Sequence, residues 1–192
     1  MAEKLSQIEG LYHGYEDRIT TWLGESAAAE CQSYLNRGKQ LLEARSPKEL
    51  SGALGQINDT LTAKSEEAQS MEEKHEKRLY VLKALRHVCV EMGFEERAPR
   101  YEEGLKRGRV VYEVETHING RIVFYLTLDG ISTESEIAED RCLDKFDALS
   151  QQLSDQFGVN TQFRTEDDRP VDRLLQRGEI DLPEGSYQER AS

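Results

Sequence analysis

The sequence predicts a mainly α, α+β chain: a long antiparallel helical hairpin, coiled-coil-like, followed by a small β-β-α-β domain. Three observations carry this. Seam positions recur in 4/3 steps from Leu50 to Met92. The residues before Ser46-Pro47 match the following arm in length. Beyond residue 109 the hydrophobic period changes from 3.5 to 2.

Residues 3–23 carry a helical stripe of Leu5, Ile8, Tyr12, Tyr15, Ile19 and Trp22. The register breaks at Gly24 and Ser26 and resumes with Ala28, Cys31, Leu35 and Leu42. Gly24 either ends one helix, with Ser26 capping the next, or kinks a single one. Ser46, Pro47 and Glu49 read as N-cap, N1 and N3 of a clean helix start.

From there the seam runs Leu50, Leu54, Ile57, Leu61, Lys64, Ala68, Met71, His75, Arg78, Leu82, Leu85, Cys89 and Met92. Such spacing requires a helix of about 45 residues, ~65 Å long, which needs another helix against its stripe. Matching arm lengths make residues 3–45 the expected partner. A two-helix N-terminal segment packed with part of the long helix as a three-helix bundle is the alternative. Lys64, His75 and Arg78 interrupt the seam. They read as register-fixing polar positions, or as a loosened middle where the rod opens, with His75 conferring pH sensitivity.

Gly93-Phe94 reads as a C-cap glycine and its hydrophobic contact, and residues 95–108 as a polar linker. Val110–Leu128 is a hairpin. A three-residue loop, Ile118-Asn119-Gly120, pairs Tyr112 with Leu126, Val114 with Phe124 and Thr116 with Ile122, with Gly120 at the left-handed position of a bulged loop. Thr133–Phe157 reads as an amphipathic helix, capped by Thr133 and Glu136, with Ile137, Cys142, Phe146, Leu149, Leu153 and Phe157 on one face. Gly158 ends it. Val159–Arg164 is the expected third strand and Val171–Arg177 a short helix. The expected domains are residues 1–94 (helical hairpin), 95–108 (linker), 109–178 (α+β) and 179–192 (disordered tail).

The 192 residues carry a net charge of -12. Residues 1–95 hold 12 Lys/Arg against 16 Asp/Glu, and residues 96–192 hold 13 against 21. Neither half has a basic stripe, which disfavours nucleic acid and anionic membrane as partners. Mean hydropathy is -0.72, and no stretch approaches the roughly 20 apolar residues of a membrane span. No apolar run follows a basic start, and Cys31, Cys89 and Cys142 are odd in number and widely spaced, so a cytoplasmic chain with reduced thiols is expected.

No motif points to catalysis, a cofactor or a metal. His87 and Cys89 project about 200° apart on a helix and cannot share an ion, and the zinc spacings are absent. No nucleophile elbow, phosphate loop or dinucleotide fingerprint occurs. The first expectation is therefore a non-enzymatic structural or adaptor protein. It oligomerises through the helical rod and docks a protein partner through the α+β head. Val111, Val123 and Tyr125, on the hairpin's second face, and the acidic loop Glu166-Asp167-Asp168 are the expected partner-binding residues. A regulatory subunit of a larger enzyme or ATP-driven machine is the second reading. An enzyme with a site between head and rod, near Tyr101, Glu102, Glu103 and His117, is the third.

Overall fold

The computed structural model describes residues 1–116, 120–135, 139–165 and 174–181. The protein is mainly helical, with an antiparallel sheet. It divides into two compact units, Met1–Glu73 and Lys74–Ser192. That boundary lies inside the long helix rather than at residue 94.

In the first unit, α1 (Ala2–Leu23) and α2 (Glu25–Glu43) are separated by Gly24, with φ 90° and ψ 169°. Only glycine adopts that backbone without steric cost, and here it reverses the chain. The Tyr12 hydroxyl donates to the Ala28 carbonyl at 3.1 Å, and Lys39 on α2 reaches Glu9 on α1. The two helices are thus antiparallel neighbours. The long helix α3 spans Pro47–Glu91, 45 residues, and starts where Ser46-Pro47 predicts. Its first half completes the core with Leu50, Leu54, Ile57, Leu61 and Ala68, against Leu5, Tyr12, Ile19 and Trp22 of α1 and Cys31 and Leu35 of α2.

At Gly38 side chains of both other helices pack directly against α2. A Cβ there would lie 2.9 Å from both Leu5 Cδ1 and Ile57 Cδ1. The expected two-arm hairpin is corrected to this three-helix packing. Matching arm lengths do not reveal that the first arm folds back on itself at Gly24, which also displaces Ser26 as the cap of the second helix.

Helices α2 and α3 end with the same device. After α2, the Ser46 N–H donates to Leu41 O and the Arg45 N–H to Leu42 O, both at 3.2 Å, with Arg45 at φ 55°. After α3, the Phe94 N–H donates to Cys89 O and the Gly93 N–H to Val90 O, with Gly93 at φ 77°. These are Schellman closures. Phe94 is buried as the hydrophobic contact.

In the second unit a sheet runs in the order β1-β3-β4-β5-β7-β6, with β2 also pairing β3, and all pairs antiparallel. The strands are β1 (Glu95–Glu96), β2 (Arg100–Tyr101), β3 (Val110–Thr116), β4 (Gly120–Leu126), β5 (Ile131–Ser135), β6 (Asn160–Thr165) and β7 (Leu174–Asp181). Helix α4 spans Glu139–Phe157. One sheet face, with Val110, Tyr112, Val114, Ile122, Phe124, Leu126 and Ile131, packs with Phe146, Leu149, Leu153 and Phe157 of α4 and with Tyr80, Val81, Ala84, Leu85, Val88 and Cys89 of α3. Past Arg78 the buried stripe of α3 is therefore broader than a coiled-coil seam. Leu82 and Met92, expected as seam residues, are only partly buried. A flat sheet accepts a wide apolar face where a partner helix accepts a narrow one.

Several further expectations are corrected. The expected linker, residues 95–108, contains β1, β2 and a 3-10 turn (Glu102–Gly104) and is built onto β3. The hairpin pairs Tyr112 with Phe124, Val114 with Ile122 and Thr116 with Gly120. That register differs by two residues from the expected one, and it keeps every side chain on its expected face, because strand facing repeats every two residues. Gly120 is a paired strand residue, not a left-handed loop position.

Residues 131–135 form a strand, with Ile131, Thr133 and Ser135 buried in alternation, so Thr133 does not cap a helix. From β3 onward the order is β-β-β-α-β-β, not β-β-α-β. Leu174–Arg177 belong to β7, between β5 and β6, rather than to a helix. Ladder bonds on both sides outweigh the local helical preference. Residues 179–181, placed in the expected disordered tail, are also in β7. Residues 166–173 and 182–192 lie outside the described residues.

Candidate functional site on the outer sheet face

Directly opposed residues of an antiparallel pair share a face. The ladder therefore sets Val111, Glu113 and Glu115 of β3 beside Arg121, Val123 and Tyr125 of β4, away from the helices. The β2 pairing adds Arg100 opposite Val111. This is the face on which a docking surface was expected, and its composition is different in detail.

Glu113 is 8% exposed, although it lies on the outer face. Arg100 Nη1 donates to its Oε1 at 2.7 Å, and Arg97 and Arg121 reach Oε2 at 3.7 and 3.9 Å. Arg97 also pairs with Glu115. The three arginine side chains remain 61%, 64% and 44% exposed for Arg97, Arg100 and Arg121. One shielded carboxylate thus gathers three guanidinium groups on side chains that are themselves exposed. Beside them Arg109 stacks over the Tyr125 ring at 4.5 Å and grips Glu102 through two hydrogen bonds of 2.6 and 2.8 Å. That fork holds the Glu102 carboxyl below its ordinary value. The Tyr125 hydroxyl donates to Glu134.

Of the expected partner-binding residues, Val111 and Val123 are each only 5% exposed, and Tyr125 is partly buried. The valines form the floor, and arginines present the surface. Glu166, Asp167 and Asp168 lie outside the described residues. The arginines escaped the sequence reading because Arg97 and Arg100 fell in an assumed linker. Once residues 95–101 pair with β3, strand alternation delivers Arg100 to this face.

The three seam interruptions separate. Lys64 is partly exposed on the first half of α3 and bonds Glu67 at 3.4 Å. His75 and Arg78 are 7% and 4% exposed and belong to the second unit. Arg78 Nη1 donates to Gly108 O at 2.6 Å, and Nη2 donates to Lys106 O and, at 2.7 Å, to His75 Nδ1. Tyr101 lies against both, with its ring 5.9 Å from each group. These residues fasten the β2–β3 connection to α3. They are not a loose point in a helical seam.

Tyr101 thus joins the His75–Arg78 cluster, while Glu102 turns to Arg109. Of the four residues weighed as an enzyme site, the two described side chains, Tyr101 and Glu102, have different partners. The Glu103 side chain and His117 lie outside the described residues. Among the described residues no group of three His, Cys, Asp or Glu is placed to hold a metal, and no helix is long and apolar enough to cross a membrane. Cys31 and Cys89 are fully buried free thiols. Burial raises both, Cys89 to about 12, which is opposite to the activation a nucleophile needs. Comparison with known protein families, curated proteins and solved structures finds no match.

Proposed function

We propose that this chain is a non-enzymatic adaptor that docks a carboxylate-bearing protein partner on the arginine-rich outer face of its sheet and self-associates through its helices. The convergence of Arg97, Arg100 and Arg121 on Glu113 carries the reading. A guanidinium is a planar fork with five N–H donors, matched to carboxylates. Gathering three around one shielded acid pre-orients them, which lowers the ordering cost of binding. The buried floor of Val111 and Val123 gives that face a fixed base. Exposed apolar residues support the self-association arm: Leu11 and Tyr15 one turn apart on α1, and Leu79 and Val90 on α3.

Affinity capture with the intact chain and with an Arg97→Ala/Arg100→Ala variant tests the docking face. The expected result is loss of one set of partners from the variant, with binding to wild type falling steeply between low and physiological salt. Identical partners for both proteins contradict it. Light scattering tests the second arm, with an oligomer expected and a monomer at all concentrations against it.

A further inference from the structure

A cleft of about 100 Å³ opens within the second unit between α3 and the turn that joins β4 to β5, residues 127–130. It is far larger than the roughly 10–15 Å³ that admits one water. Lys74, Lys77 and Arg78 line one side. Spacings of three and four place them on one helical face. Lys74 Nζ bonds the carboxylate of Asp129, whose side chain is 75% exposed, at 2.5 Å. Lys77 enters no ion pair among the described residues.

Arg78 is the unusual member. Its guanidinium is buried, yet the acceptors that it meets are the carbonyls of Lys106 and Gly108 and the His75 ring. No ion pair to a carboxylate is formed by it among the described residues. Its Nε is buried without an acceptor. A buried cation that lacks a counter-charge is costly, and burial accordingly weakens its hold on its proton. Three cationic residues therefore line a cleft whose lining includes one carboxylate, that of Asp129, in a protein of net charge -12.

We propose that this cleft binds a small tetrahedral oxyanion of the phosphate class, free or as a monoester, with Lys77 and Lys74 at its mouth and Arg78 supplying the buried positive charge. Asp129 occupies Lys74 in its absence and competes with it. The site is separate from the arginine-rich outer face and stands whether or not that face docks a protein.

Calorimetric titration of the full chain with inorganic phosphate and with glycerol phosphate, at ionic strength held constant with chloride, tests this. Saturable binding of one equivalent is expected, and the tighter of the two ligands shows whether free phosphate or a monoester is preferred. Lys77→Ala is expected to weaken binding about fivefold, as loss of a charge-assisted contact does. Asp129→Asn is expected to tighten it about threefold by releasing Lys74. Both positions are exposed, and circular dichroism establishes that each variant is folded. Heat no greater than that of the chloride control, or Lys77→Ala binding as tightly as wild type, overturns the proposal.

Discussion

Arg86 on α3 and Glu96 on β1 face each other across the Gly93 turn and join through two parallel hydrogen bonds, Nε to Oε2 at 2.8 Å and Nη2 to Oε1 at 2.6 Å. The Tyr112 hydroxyl donates to the same carboxylate from β3 at 3.2 Å. Helix, turn and two strands are thereby tied at one point.

This pairing makes stability pH-dependent in a definite direction. The Arg86 hydrogen bonds hold Glu96 below its ordinary carboxylate value, against a smaller opposing effect of burial. A carboxyl depressed on folding adds stability that is complete above its unfolded value, near 4.3, and is lost as pH falls through the lower folded value. Arg86 is 45% exposed and Glu96 28%, so solvent screening limits the contribution to about 0.5–1 kcal/mol. Glu96→Gln is expected to lower stability by that amount at pH 7 and to match wild type near pH 2, as measured by urea denaturation at each pH.

Arg78 and His75 provide a second test. His75→Leu places a better helix former and a more apolar residue in α3, and a helical seam would be stabilised by it. Here it removes an acceptor of a buried guanidinium and is expected to cost about 1–3 kcal/mol. Arg78→Met also strips the Lys106 and Gly108 carbonyls of their donor, with a comparable or larger loss. A rise in melting temperature for His75→Leu would contradict the anchoring role.

The α2–α3 turn has a residue that its geometry disfavours. Arg45 occupies the left-handed position of a Schellman closure, at φ 55°, where Gly93 serves the equivalent role after α3. A side chain there costs about 1–2 kcal/mol, partly offset by the greater unfolded-state entropy of glycine. Arg45→Gly is expected to stabilise the protein by about 0.5–1 kcal/mol. Thermal denaturation reads the change, and a lower melting temperature would show that the Arg45 side chain makes a stabilising interaction outweighing the backbone cost.

Cys31 and Cys89 are expected to resist alkylation in the folded protein, since both are fully buried and Cys89 is pushed up to about 12. In a Cys142→Ser background, iodoacetamide labelling at pH 8 should proceed only through unfolding, and so accelerate with urea in step with loss of helicity. Rapid labelling of Cys89 in native buffer contradicts the burial.

Much of this fold was legible where local chemistry has one solution. Ser46-Pro47 starts α3, Gly93-Phe94 closes it, and Gly158 follows α4 as expected. The rest depended on tertiary partners. Heptad spacing reports a helix with a stripe, but it does not report whether a helix or a sheet covers that stripe. The doublets Tyr80-Val81, Ala84-Leu85 and Val88-Cys89 were the available sign of a broad sheet-facing surface. Alternation assigned both faces of the hairpin correctly, yet a two-residue slip leaves faces unchanged and so escaped detection. Thr133 with Glu136 imitates a capping box, which concealed β5. Strands as short and polar as Glu95–Glu96 and Arg100–Tyr101 have no hydrophobic signature. For that reason Arg97 and Arg100 were not foreseen beside β3.

The adaptor reading is tested most directly by comparing captured proteins quantitatively between the wild-type chain and Arg97→Ala/Arg100→Ala, both shown by circular dichroism to be folded. The account predicts selective loss of carboxylate-rich partners from the variant, at least tenfold, while the helical content is unchanged. Equal recovery of every partner by both proteins would contradict it.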